Sequence, residues 1–559
     1  MDKASRAIEE AIKSLFEIQE SIELERTDPK FGDFACNIAM KLGKKIGQNP
    51  LEIAENIKNE LIKANYEWLG GLEIAGPGFI NIKLSDKYLV NNITEVLEKG
   101  SQYGKSEQYI NQSVLVEYLD PNPFKELHIG HVYAGTVGDA IACLFEAGGA
   151  NVHRVTYQGD VGLHVAKAIY GIMQKAGKDI NQLEGIESSK RPGFLSETYV
   201  IGAKAFRENE QAKQEIREIN RKIYDKSDPI INQIHDIGFN WSMVYFEEVY
   251  KALDFTTFEK NYMEGTVAKE GLELVKQHIS DGVFEKSEGA IVFRGDKFGL
   301  HTRVFINSQG LPTYDAKDLG NAMLKMRDYA YTRSIIITGQ EQAEYFKVML
   351  KALEQFAPEQ ASATTHIPHG LIKLSTGKMS SRTGEVMRAL DLLREVEKSA
   401  KEIAGDRESP IRETTLAAIK YVFLKSRITG DIVYDVDESL SLEGNSGPYL
   451  QYAHARARSI LAKSQNNSQM PNILDAEERV LTVKIEQFEE VVDKATNQLA
   501  PHIICTYLFE LAQIFNRFYE KNRIIGDVKE AQRLSLVAAY ATVLKNGLEF
   551  IKIPAPEKM

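Results

Sequence analysis

The chain has 559 residues, 43% of them hydrophobic and 26% charged, without an apolar run near the ~20 residues that span a bilayer, which excludes a disordered, fibrous or membrane-inserted class. Its 68 basic and 79 acidic side chains leave a net charge of −11, so the surface as a whole repels polyanions; a general DNA-coating role is excluded, and nucleic acid can be held only at selected basic points. Three scattered cysteines without a CxxC argue against a disulfide framework or a thiolate zinc site and point to a reducing cytoplasm.

Taken from the start, "MDKASRAIEEAIKSLFEIQESIELER" is too charged for a secretory segment and too acidic for a transit peptide, and reads as an amphipathic helix of the mature protein. Residues 1–108 predict a compact α+β unit. "ACNIAMKLGKKIGQNPLEIAENIKNELIKA" has helical period broken at "GQNP", and "LEIAGPGFINIKLS" reads as two strands around a Gly-Pro-Gly turn. The polar "EKGSQYGKSEQYINQ" reads as a linker. From "SVLVEYL" the pattern is strand, turn, helix ("HIGHVYAGTVGDAIACLFEAGG") and strand ("NVHRVTYQGD"), a βαβ unit that predicts a parallel sheet with ligands at the C-terminal strand ends. A charged, helix-rich interval at about 175–297 reads as an insertion into this domain, which spans 109–405, and sheet-like segments return at "TRVFINSQG" and "SIIITGQ". Residues 406–559 predict helices with apolar stripes, as in Leu508, Leu511, Phe515 and Phe518. The expected fold is therefore an α/β Rossmann-like catalytic domain with an insertion, flanked by an N-terminal α+β domain and a C-terminal all-α helical bundle.

The densest chemistry lies in "NPFKELHIGH", Asn122 to His131, directly after the first strand of the βαβ unit. A P-loop at "GSQYGKS" is ruled out, because it has three residues between its glycines where four are required. His128 and His131 have no Glu-x-x-His register or cysteine set to complete a metal site, so no metal ligand is assigned. Two readings remain. The histidines cap a helix, or the turn binds a nucleotide triphosphate: helix N-terminal amides favour phosphate, Gly130 lets the backbone approach a flat base, two imidazoles donate hydrogen bonds, and Lys125 adds a cation.

His-Ile-Gly-His resembles the first signature of class I aminoacyl-tRNA synthetases, and "STGKMSSRTGE" (Ser375–Glu385) resembles their second, with Lys378, Met379 and Ser380 matching and Ser381 where a lysine is common. Further segments over nearly the whole chain resemble arginyl-tRNA synthetases: "VEYLDPNPFKELHIGH"; "YQGDVGLHV", where Val161 replaces the usual tryptophan; "LPTYDAKDLGNA"; "LEGNSGPYLQYAHARARSI"; and the terminal "IKIPAPEKM". The resemblance implies ATP-dependent ligation of L-arginine to tRNA(Arg) through an arginyl-adenylate, with Mg²⁺ on the ATP. It implies that His128, His131, Lys125 and Lys378 are catalytic, Lys125 taking over the charge absent at Ser381, and that Gly130, Met379 and Ser380 bind ATP. Arginine would be held by Asn122, Glu117, Tyr314, Asp318 and Gln342. Tyr314 and Asp318, four apart, share a helix face, and a guanidinium needs a carboxylate partner in a dry pocket. Phe79 and Asn81 would meet the tRNA D-loop, and Tyr449, Tyr452, Arg456 and Met559 the anticodon, since unstacked bases are read by aromatic and guanidinium planes. A cytoplasmic monomer without DNA or membrane partners is expected. Two rivals are a small-molecule nucleotidylyl transferase, which should lack the RNA-reading ends, and a non-catalytic tRNA-binding paralogue, suggested by Ser381.

Overall fold

The apolar runs Val114–Val116 and Ile335–Ile337 lie at the middle of a five-stranded sheet, where strands covered on both faces carry continuous rather than alternating hydrophobics. The computed structural model describes residues 2–177, 180–375, 387–406, 409–464, 469–470 and 473–559. The sheet consists of β1 (Ser113–Glu117), β2 (Asn151–Gln158), β3 (Lys260–Met263), β4 (Arg333–Gly339) and β5 (Thr364–His369), ordered β5-β4-β1-β2-β3 with every pair parallel. The order reverses between β1 and β4, the switch point at which an open parallel sheet leaves a crevice for ligands.

Helix α1 (Ile129–Ala147) joins β1 to β2 and is buried along most of its length. It lies directly against the chain leaving β1: a Cβ on Gly138 would fall 2.2 Å from Cγ of Tyr118, so only glycine permits the approach. After β2 come α2 (Leu163–Ala176), α3 (Arg191–Glu208), a helix at Glu210–Asp225 and α4 (Pro229–Ala252), which share a separate core that includes Val165, Ile169, Ile216 and Ile234. Between β3 and β4 lie a helix at Glu264–Gln277, a small antiparallel sheet and α5 (Tyr314–Tyr329). Helices follow β5 to the C-terminal region, among them α6 (Gly447–Lys463) and α7 (His502–Lys521). The N-terminal four-stranded antiparallel sheet and its helices form another core, tied to the C-terminal helices by Arg26 to Glu486 and Glu490 and by Arg479 to Asp33.

Three segments depart from the sequence reading. The supposed linker is not solvated: Tyr103 is fully buried against Phe488, and Asn546 donates to the carbonyls of Gly100 and Tyr103 at 2.8 and 2.9 Å. Its polar composition hid Tyr103, whose ring packs among the C-terminal helices, and Tyr109, whose ring packs on Phe145 of α1. Strand β3 lies inside the interval read as an insertion; at four residues, with Lys260 and Asn261 exposed, this edge strand carries no alternating signal. Arg303–Ile306 belongs to the small antiparallel sheet with Ala290–Phe293 rather than to the central one.

Candidate active site

The chain leaving β1 is strained where it turns toward α1. Leu119, Asp120 and Phe124 hold φ of 78, 40 and 67°, a region that non-glycine residues occupy at a cost of about 1–3 kcal/mol each and keep only where their surroundings hold them. Asp120 is held by the Tyr157 amide, which donates to its Oδ1 at 2.7 Å. Phe124 is fully buried, and its N–H donates to Ser242 Oγ on α4 at 2.9 Å. The strained turn floors a cavity of about 750 Å³ between the ends of β1 and β4.

His128 is the N-cap of α1. Its Nδ1 accepts from the Gly130 amide at 3.1 Å, and its own amide donates to His131 Nδ1 at 3.2 Å, a reciprocal cap with the rings 3.9 Å apart. Both Nδ1 atoms accept, so each neutral ring carries its proton on Nε2, and both residues line the cavity. Burial, then Lys125 and His369, pushes the His128 pKa down to about 4; burial, with His128 and His369 beside it, holds His131 well below the usual range. Near neutral pH the pair therefore presents two uncharged N–H donors at a helix N-terminus. Capping and ligand binding are thus compatible, one nitrogen of each ring serving each. A Cβ on Gly130 would lie 3.0 Å from the His128 ring, so a larger residue would press on the capping imidazole.

The opposite wall is acidic. On α5, Tyr314, Asp318, Asn321 and Lys325 follow one another at spacings of four, three and four, and all line the cavity. Glu117 accepts from Lys325 Nζ at 2.9 Å and from Asn321 Nδ2 at 3.1 Å, and Glu264 pairs with Lys317 at 3.1 Å. Among the described residues Asp318 makes no ion pair: the Tyr345 hydroxyl donates to it, and burial, with Glu117 nearby, pushes its pKa up to about 7 against that hydrogen bond and the charge of Lys325. Asp120 is likewise raised by burial and Glu117. A cavity with its ammoniums already paired and a carboxylate uncompensated suits a cationic side chain. Tyr314 stands at the rim, 59% exposed. Asn122 and Gln342 also line the cavity.

Lys125 does not line the cavity; its ammonium lies 4.1 Å from the centroid of the Tyr199 ring on α3. Lys378, Met379 and Ser380 lie outside the described residues. The residues flanking that segment are anchored at the site: Ile372 lines the cavity, and the amides of Ile129 and Ala389 donate to the carbonyls of Met387 and Leu127 at 2.9 and 2.8 Å.

At the chain's two ends the sequence-predicted residues divide differently. Phe79 and Asn81 share one face of the strand Phe79–Leu84, with Phe79 exposed and Asn81 buried to 7%. On the C-terminal helices, Arg456 donates to Tyr452 OH at 3.1 Å and Asn516 Oδ1 at 3.3 Å, while Asn516 Nδ2 donates to Tyr449 OH at 2.9 Å. Tyr449, Tyr452 and Arg456 thus form one cluster across α6 and α7. The terminal tail lies along α6, held by Gln451 to the carbonyl of Pro554, by His454 to that of Pro556 and by Arg458 to Glu557, two residues before Met559.

Residues 92–435 match the family described as "tRNA synthetases class I (R), catalytic domain", residues 2–84 "Arginyl tRNA synthetase N terminal domain" and residues 450–559 "DALR anticodon binding domain". The chain belongs to the arginyl-tRNA synthetase family. Among curated relatives, an arginine–tRNA ligase of Borreliella afzelii is 30% identical over 90% of each chain, and one of Clostridium botulinum is 29% identical over 98% of this chain and 97% of that one. The fold matches the arginyl-tRNA synthetase structure of Thermus thermophilus over the full length of both chains, with a TM-score of 0.83 at 23% identity. For an arginyl-tRNA synthetase fold, the sequence reading missed Tyr345, Lys325 and His369 in the cavity. The polar stripe along α5 was a readable sign of Lys325, whereas nothing in "EQAEYFKVM" singles out Tyr345.

Proposed function

We propose how this chain, an ATP-dependent arginine–tRNA ligase that works through an arginyl-adenylate, divides its reaction among its residues. ATP lies with its triphosphate at the N-terminus of α1 and its base against Gly130, with Met379 and Ser380 of the second signature beside it. The guanidinium of arginine sits on Asp318 behind Tyr314, and Asn122, Glu117 and Gln342 face its amino and carboxylate end. The arginine carboxylate attacks the α-phosphorus and pyrophosphate leaves. Charge grows on the phosphate oxygens, and the Nε2–H groups of His128 and His131, with the ammoniums of Lys125 and Lys378, stabilise it as it develops. The 2′-hydroxyl of the terminal adenosine of tRNA then attacks the arginyl carbonyl and AMP departs, so no covalent enzyme intermediate is required.

Mg²⁺ would arrive on the triphosphate: among the described residues no group of three His, Cys, Asp or Glu side chains could hold a metal, and no step is assigned to it. Phe79 and Asn81 face the D-loop of tRNA(Arg), and Tyr449, Tyr452, Arg456 and Met559 the anticodon. Among the described residues no helix is long and apolar enough to cross a membrane, and the chain is proposed to act as a cytoplasmic monomer without a DNA partner.

The observation that carries this reading is Asp318, a buried carboxylate that makes no ion pair among the described residues, in the same cavity as two neutral histidine donors at a helix N-terminus. Arginine-dependent ATP–pyrophosphate exchange, with and without tRNA and with other amino acids alongside, tests it. Exchange with arginine alone among them, when tRNA is present, is the expected result. Protein that binds tRNA but exchanges under no condition would instead be the non-catalytic paralogue.

A further inference from the structure

Three of the four backbone amides that lead into the first histidine are held by side chains of the helical insertion. Phe124 N–H donates to Ser242 Oγ at 2.9 Å, Glu126 N–H to Ser196 Oγ at 3.0 Å and Leu127 N–H to Tyr245 OH at 3.3 Å. Ser242 and Tyr245 lie on α4, Ser196 on α3. The backbone on either side of Lys125 is therefore fixed, and only the direction of its side chain remains to be set. Tyr199 lies three residues beyond Ser196, hence on the same face of α3, and its ring stands under the Lys125 ammonium at 4.1 Å. Among the described residues Lys125 makes no ion pair, and the carboxylate next to it in sequence, Glu126, pairs with Arg388 at 3.2 Å.

We infer that Tyr199 is a positioning residue for Lys125, its ring holding the ammonium beside the phosphate site without neutralising it. The choice of an aromatic face rather than a carboxylate has a physical reason. Either attracts a cation, but a carboxylate brings a full negative charge that would cancel the field of the lysine at the phosphates and repel them in turn. A ring quadrupole falls off steeply with distance and leaves the net charge at +1. The arrangement bears most on a chain with Ser381 in its second signature, where Lys125 is the charge that must be in place. The depressed pKa of His128, to which Lys125 contributes, is consistent with the ammonium lying near enough to act at the N-terminus of α1.

The inference rests on the proposed role of Lys125 and is tested together with it, by pyrophosphate exchange on the full-length protein with tRNA present. K125M is expected to lower kcat by about 10²-fold. Y199L, which keeps apolar bulk and removes the ring, is expected to lower kcat about tenfold with the KM values for ATP and arginine within about twofold, and Y199F is expected to restore most of the rate. In the K125M background Y199L should cause no further loss. An equal loss from Y199L in both backgrounds would make the ring a packing residue and overturn the inference. So would full activity of Y199L beside an impaired K125M. Full activity of K125M would overturn the role of Lys125 first, and that of Tyr199 with it. Y199M takes the place of Y199L if the leucine variant does not fold.

Discussion

Tyrosines sit at the centre of both the cavity and the cluster on α6 and α7, in opposite electrical settings. In the cavity the Tyr345 hydroxyl is spent on an Asp318 carboxylate that makes no ion pair among the described residues and whose pKa burial pushes up to about 7. In the C-terminal cluster Tyr452 is 38% exposed and already accepts from Arg456, whose guanidinium lies 5.0 Å from the Tyr452 ring centroid. The first region is a set of buried polar groups around a cavity, where an unmatched group costs most. The second has its tyrosine hydroxyls and guanidinium bonded to one another at a partly exposed surface, so a ligand exchanges contacts there one at a time. Binding in the cavity should accordingly be close to all-or-none, and on the bundle graded.

The sharpest way to break that contrast is His128→Ala, which should lower kcat of pyrophosphate exchange by about 10²-fold or more with little change in substrate KM. A rise in KM alone would remove the two histidines from the charged step. Asp318→Asn should follow, lowering kcat/KM for arginine by about 10²-fold without opening the site to another amino acid, since a neutral amide loses the charge-assisted pair.

A pH series examines the same carboxylate without mutation. Asp318 titrates near pH 7 in the free protein, and a bound guanidinium pulls its pKa down, so arginine binding releases a proton and strengthens as pH rises toward and past 7. The affinity should fall about tenfold between pH 8 and pH 6, with proton release near pH 6.5 detected by calorimetry in two buffers of different ionisation enthalpy. A flat profile would mean that the carboxylate is already ionised without its ligand. An effect of similar size, but on tRNA alone, is expected at the bundle: Arg456→Ala should weaken tRNA binding by about tenfold, with kcat at saturating tRNA nearly unchanged.

What the sequence disclosed divides along similar lines. The βαβ unit, the capping histidine pair and the apolar face of α7 were legible, because each rests on local spacing that periodicity and capping chemistry make visible. Tyr314 and Asp318 were named through the resemblance; their one-turn spacing showed only that they share a helix face. The pairing of Glu117 with Lys325 spans 208 residues and no local pattern announces it. Tyr345 reaches Asp318 only through the docking of two helices. Tyr103 was lost for the opposite reason, its polar neighbours outweighing a ring that inserts among the C-terminal helices. The loop at Lys378 was legible by resemblance alone and lies outside the described residues.

The tie between the chain's two ends sets a clock. The carboxylate of Asp33, 3% exposed, is capped by Arg479, 446 residues further along. At a synthesis rate of roughly 5–20 residues per second, that arginine leaves the ribosome about 20–90 s after Asp33. Throughout that interval the N-terminal residues that make up its sheet and helices have been synthesised, but not Leu474, which joins their core, or the guanidinium that pairs with the buried Asp33. For this span of translation the nascent chain carries a complementary surface without its complement.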